Sequence, residues 1–167
     1  MKRKLFCCIV YNMGNLENKI IVWTDGGCSG NPGPGAWAFV ITKNGEDVIY
    51  EKAGSEKHTT NNRMELQAVI NALHKLKNLD LQLGAEVRTD SLYVKKGVTE
   101  WMTKWKSNGW RTAGKTPVKN AELWGELDGL NEGLKLKWRW VKGHAGTFYN
   151  ERCDRLVQEA IAEIKKT

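Results

Sequence analysis

Cysteine and histidine, the side chains that build most structural metal sites, are scarce in this chain and poorly spaced for one. The four cysteines (Cys7, Cys8, Cys28 and Cys153) form no C-x-x-C or C-x-x-x-x-C pair, and the three histidines (His58, His74 and His144) show no metal-ligand spacing. A structural zinc site is therefore not expected. A disulfide framework is not expected either, because 167 residues can bury a core without staples. The thiols read as reduced, the state kept in a cytoplasm. No apolar run is long enough to span a membrane, and no internal repeat or low-complexity linker interrupts the chain. The opening MKRKLFCCIVY has basic residues followed by an apolar run, but that run is at the lower limit for a signal peptide and no small-residue cleavage site follows. Residues 1–18 are therefore set apart as an N-terminal extension of unknown role. Either they are an added tail, or the true start is Met13.

What remains is an ordinary globular composition, 41% hydrophobic and 27% charged, which excludes a disordered chain. The length suits one domain, expected over 19–165. A net charge of +7 points to an anionic partner, without saying which.

The apolar run KIIVWT ends at Asp25 and reads as a buried strand. GGCSGNPGPG after it is too rich in glycine and proline for anything but a tight loop. Two alternating runs, AWAFVIT and DVIYEKAG, are split by Asn44-Gly45, a hairpin signal. Three sequential strands with short connections imply an antiparallel meander. Beyond Thr59-Thr60-Asn61-Asn62 the period changes: Leu66, Val69, Ile70, Leu73 and Leu76 fall at helical spacing. A strand over 85–89 leads to Asp90 and a short helix that is expected to stop near Gly97. A helix over 121–132, a strand LKWRWV, a glycine-rich loop with His144 and a last helix complete the order β-β-β-α-β-α-α-β-α. This order predicts an α/β fold of the mixed (α+β) kind, a mixed sheet flanked by helices.

Four carboxylates stand where apolar runs meet polar or helical ones: Asp25, Glu65, Asp90 and Asp154. Gathered at one point they could not all stay ionised without a cation, and hard divalent ions with oxygen ligands suit them. Each also has a plainer explanation. Asp25-Gly26 can be a turn. Asn62-x-x-Glu65 resembles a capping box, although Glu65 borders the buried stripe. Asp90 can cap the helix that follows it, and Asp154 can answer the dipole of the last helix. His144 reads alone as a surface histidine. Trp101 and Trp105, four apart, can be one packing face. Trp23, Trp37, Trp124, Trp138 and Trp140 read as core or sheet-face residues.

Taken together and in order, TDGGCSGNPGPGAW, TTNNRMEL, TDSLYVKKG, PVKN and VKGHAG followed by NERCD resemble the type 1 ribonuclease H family, in particular bacterial members with a basic protrusion. The resemblance runs from about residue 19 to 163. It implies a five-stranded mixed sheet, its first three strands antiparallel, and cleavage of the RNA strand of RNA–DNA hybrids to 5′-phosphate and 3′-hydroxyl ends. Asp25, Glu65, Asp90 and Asp154 would hold two Mg²⁺ ions, or Mn²⁺, one ion activating the attacking water and the other stabilising the leaving oxygen. His144 would assist proton transfer or product departure. Cys28, Asn31, Asn61 and Asn62, with Glu65, would read 2′-hydroxyls. Thr60 and Asn120 would grip a phosphate of the DNA strand. Trp101 and Trp105 would line its channel within a basic handle over 95–118, where Lys95, Lys96, Lys104, Lys106, Arg111 and Lys115 would meet phosphates.

Two positions depart from the family pattern. His58 stands where the phosphate pocket usually has arginine, which would make affinity more sensitive to pH. Leu92 stands where glutamine is common, leaving only backbone contact. By the same resemblance the protein would be a cytoplasmic monomer with no obligate protein partner, removing primers and R-loops. A binding module without chemistry, a DNA nuclease or integrase of the same fold, and a domain cut from a reverse transcriptase are the competing readings. The intact acid set, the asparagines and the free-standing chain, respectively, argue against them.

Overall fold

Strand β1, Ile20–Cys28, is buried from its start through Gly26 and lies at the centre of the molecule. It belongs to a computed structural model that describes residues 19–81 and 84–167. Cys7, Cys8 and the expected extension over 1–18 lie outside the described residues. Strand β2, Gly33–Lys43, pairs antiparallel with β1, and β3, Asp47–Thr59, pairs antiparallel with β2. The turn between them has Asn44 and Gly45 at φ of 56° and 80°, the left-handed values that the Asn-Gly pair supplies cheaply. The expected meander is present.

Helix α1, Asn61–Asn78, packs its apolar stripe on β1 and β2. Strand β4, Glu86–Thr89, then returns parallel to β1, and β5, Lys137–Trp140, lies parallel beyond it. Among the described residues these five strands form one mixed sheet in the order β3-β2-β1-β4-β5. Alternate residues of β1 feed opposite faces, as the two-residue period requires. Ile20 and Val22 join the larger core under α1 and under α4, Ala121–Asn131, while Ile21 and Trp23 pack beneath α5, Phe148–Ile164. At the start of β4, burial alone would raise the Glu86 carboxyl. Lys19 at 2.9 Å and Arg88 at 2.5 Å hold it below its usual range and tie down the sheet end remote from Asp25.

The helix after Asp90 does not stop at Gly97. α2, Leu92–Lys96, runs into a π-helical turn, Gly97–Trp101, and then α3, Met102–Ser107. Glycine serves here for close approach rather than as a terminator: a Cβ on Gly97 would lie inside the indole of Trp124. Trp101, Trp105, Trp124 and Tyr93 form a ring cluster with centroids 5.2–6.1 Å apart. Asp128 binds Lys106 at 2.8 Å and ties α3 to α4. Lys106, from which a phosphate contact is expected, is in this structure paired with Asp128.

Candidate active site

Thr24 and Thr89 are register partners on the parallel strands β1 and β4, so the next residues, Asp25 and Asp90, emerge side by side at the strands' carboxyl ends. That end is where an open sheet with helices on its faces forms a crevice. Glu65 arrives from the second turn of α1. Only glycine at position 26 permits this, because a Cβ there would strike the backbone of Met64 and Glu65. The plainer local explanations of two acids are displaced. Thr60, not Asn62, caps α1 by accepting the Arg63 N–H, and Ser91, not Asp90, caps α2 by accepting the Val94 N–H at 3.2 Å. Both carboxylates are thereby released from capping.

Asp25, Glu65 and Asp90 each bring a carboxylate oxygen within 4.8 Å of the others. Asp25 and Glu65 are 8% and 6% exposed. Burial, then the charges of Asp90 and Asp154, push the Asp25 carboxyl up to about 7, against the pull of the Gly26 amide. Glu65 is held well above the carboxylate range by burial and by the charges of Asp25 and Asp90. Asp90 is raised by burial, against a hydrogen bond from Asn150. One oxygen of Glu65, Oε2, is buried without a hydrogen-bond partner. A buried acceptor with no donor, inside a nest of like charges, matches the needs of a hard cation rather than those of a hydrogen-bonded core.

Asp154 is not part of the tight trio. It lines the same cleft of about 380 Å³, together with Cys28, Asn61, His144 and Gln158. Cys153 beside it is fully buried and donates its S–H to the Trp23 carbonyl at 3.4 Å, which anchors α5 on β1 and turns Asp154 outward. His144 has φ of 52°, and a Cβ on its neighbour Gly143 would lie 2.7 Å from Asp90 Oδ2.

The Cys28 thiol donates to the carbonyls of Gly33 and Thr59 at 3.2 and 3.3 Å, and the Asn31 side chain accepts the Asn61 amide at 3.2 Å. Asn31, Thr60, Asn62 and Asn120 line a second, adjoining cleft of about 470 Å³ with Arg63 and Lys119. His58, on exposed β3, is not among those lining residues. Trp101 and Trp105 are half-buried in the ring cluster, and Trp105 also faces a cleft with Tyr93, Pro117 and Lys119. Leu92 is 52% exposed.

Two residues of the site escaped the sequence reading. Asn150, 2% exposed, donates to Asp90 Oδ2 at 3.4 Å, and the indole N–H of Trp140 donates to the Asp90 carbonyl at 2.9 Å. Trp140 is 42% exposed on β5, a sheet residue rather than a core one. The asparagine of NERCD was a readable signal. Nothing local marked the tryptophan.

Residues 17–162 match the RNase H family model. The chain belongs to the ribonuclease H family. It is therefore a hydrolase of the class that acts on the RNA strand of RNA–DNA hybrids. It is 53% identical to the ribonuclease H of Ehrlichia ruminantium over 147 residues, covering 87% of this chain and 97% of that one. It is 50% identical to the ribonuclease H of Treponema denticola over 157 residues, covering 87% and 98%. Among solved ribonuclease H structures, LC9-RNase H1, a type 1 enzyme with the type 2 active-site motif, superposes with a TM-score of 0.76 at 32% identity, over 87% of this chain and 73% of that one. LC11-RNase H1 in complex with an RNA/DNA hybrid superposes at 0.70 and 28%, over 87% and 99%.

Proposed function

We propose that this ribonuclease H cuts the RNA strand by two-metal-ion catalysis at the Asp25–Glu65–Asp90–Asp154 cleft, within a catalytic domain over residues 19–165. The observation that carries the reading is the convergence of three carboxylates from β1, α1 and the end of β4 within 4.8 Å, one of them with an orphaned buried oxygen. The donor set is all oxygen, which favours Mg²⁺, with Mn²⁺ an acceptable substitute. Such ions supply Lewis acidity at the scissile phosphate and a hydroxide nucleophile at neutral pH.

Asp25, Glu65 and Asp90 hold the charge in place, and Asp154 closes the open side. Asn150 and Trp140 fix Asp90 by its side chain and its carbonyl. His144, over Asp90, is placed to carry a proton to or from the reacting phosphate. Cys28, Asn31, Asn61 and Asn62, with Glu65, meet the minor groove of the hybrid, where an amide can both donate to and accept from a 2′-hydroxyl. Thr60 and Asn120 grip a DNA-strand phosphate in the second cleft, where Lys119 supplies positive charge and Arg63, paired with Glu122, donates to and orients Asn120. Trp101, Trp105 and the basic handle over 95–118 take the DNA strand beyond it. The cleft is assembled within one chain, so a monomer suffices for the reaction. Its place is the cytoplasm, on primers and R-loops.

The test is cleavage of labelled RNA–DNA hybrid, double-stranded RNA and double-stranded DNA, each with Mg²⁺ and with EDTA. Hybrid-only, metal-dependent cutting is expected. Hybrid cleavage that persists in EDTA would overturn the mechanism.

A further inference from the structure

Asp154, Gln158, Ile161 and Lys165 fall on one face of α5 and its cap, at offsets of four, seven and eleven residues. Asp154 and Gln158 line the carboxylate cleft. One turn on, a Cβ on Gly27 would lie 3.9 Å from Ile161 Cδ1. At the far end the Lys165 ammonium donates to Ser29 Oγ, in the loop that leaves β1. This stripe runs beside Gly26–Gly27–Cys28–Ser29, packed against Gly27 through Val157 and the buried Ile161, and leads away from the acids. At 1.5 Å per helical residue its length is about 16 Å. The chemistry changes along it, from carboxylate to neutral amide to ammonium.

We propose that Lys165 is a contact for the RNA-strand phosphodiester backbone outside the scissile position, oriented for that task by Ser29. The inference rests on the hybrid-cleaving reading above. A phosphate chain with one member at the carboxylate cluster meets the ammonium a few nucleotides along. Lys165 is exposed, and its partner is a neutral hydroxyl, which aims the charge without cancelling it. Its neighbour Lys166 is instead paired with Glu163 at 3.1 Å. A lysine on a phosphate adds affinity and salt dependence without sequence preference. A lysine that only tethered the loop would add neither.

The experiment measures hybrid binding against salt in the presence of Mg²⁺, in an Asp25→Asn background that stops cleavage, and steady-state cleavage in the otherwise intact enzyme. Lys165→Ala should weaken binding several-fold at low salt and reduce the log–log salt slope by about one. KM should rise with kcat unchanged, and Lys165→Arg should restore both. Ser29→Ala should leave the slope as it was. An unchanged slope in Lys165→Ala, or a Ser29→Ala variant that reproduces the whole loss, would overturn the inference in favour of a tether. Failure of the intact enzyme to cut hybrid would instead remove the underlying reading, so the two failures are distinguishable.

Discussion

Asp25 shows what a single buried carboxylate does to both stability and chemistry. Its carboxyl is raised to about 7 from an ordinary value of 3.8 by burial and by its acidic neighbours. The folded state therefore holds a proton that the unfolded chain has lost. Without metal, the contribution of this carboxyl to stability is fully present below about pH 4 and falls away as pH climbs through 7. Urea denaturation in EDTA at pH 5 and pH 8 should show that fall, and Mg²⁺ should reverse it at pH 8 by neutralising the ionised form. Asp25→Asn removes the cost at its source: metal-free stability at pH 8 should rise by on the order of 2 kcal/mol, with cleavage abolished. Trp140 acts on the same centre through a backbone carbonyl. Trp140→Phe keeps the ring and loses the donor, so turnover should drop about tenfold with KM little moved. The stability loss should be about 1 kcal/mol, the worth of one hydrogen bond. A fall in KM affinity alone would place the indole on substrate instead.

At the scale of elements, glycines decide how closely helices approach the sheet and one another. Gly26 lets α1 come down on the end of β1 and so delivers Glu65, while Gly97 lets the π-helical turn lie against Trp124. Gly97→Ala should cost about 1–3 kcal/mol as an overpacked contact, and thermal melting would read it directly. Because Trp124 donates to Tyr93 at 2.9 Å, the same variant should disturb the aromatic cluster that carries Trp101 and Trp105. Periodicity disclosed α1 and α5, and Asn44-Gly45 disclosed the hairpin, because both signals are local. The path through Gly97 was misread because a glycine that ends a helix and one that admits a neighbouring ring look alike in sequence.

Across the whole molecule, the +7 charge suits an anionic partner. The second cleft collects Arg63 from α1 and Lys119 from the approach to α4, while His58 lies outside its lining. Lys119→Ala should weaken hybrid binding and flatten its salt slope by about one. His58→Ala should leave hybrid affinity unchanged, and a weakened affinity would return the pocket to the histidine. The amino-acid order alone determined the five strands, helices α1, α4 and α5, the β-hairpin, and which acids stand at element ends, since each follows from spacing and turn chemistry within a few residues. Only the tertiary structure decided that Glu65 keeps an unpartnered oxygen among other carboxylates, that Asn150 and Trp140 reach Asp90 from 60 and 50 residues away, and that Lys106 is held by Asp128. Those pairings depend on how sheet and helices dock, and docking is set by packing between segments whose separation along the chain carries no periodic trace.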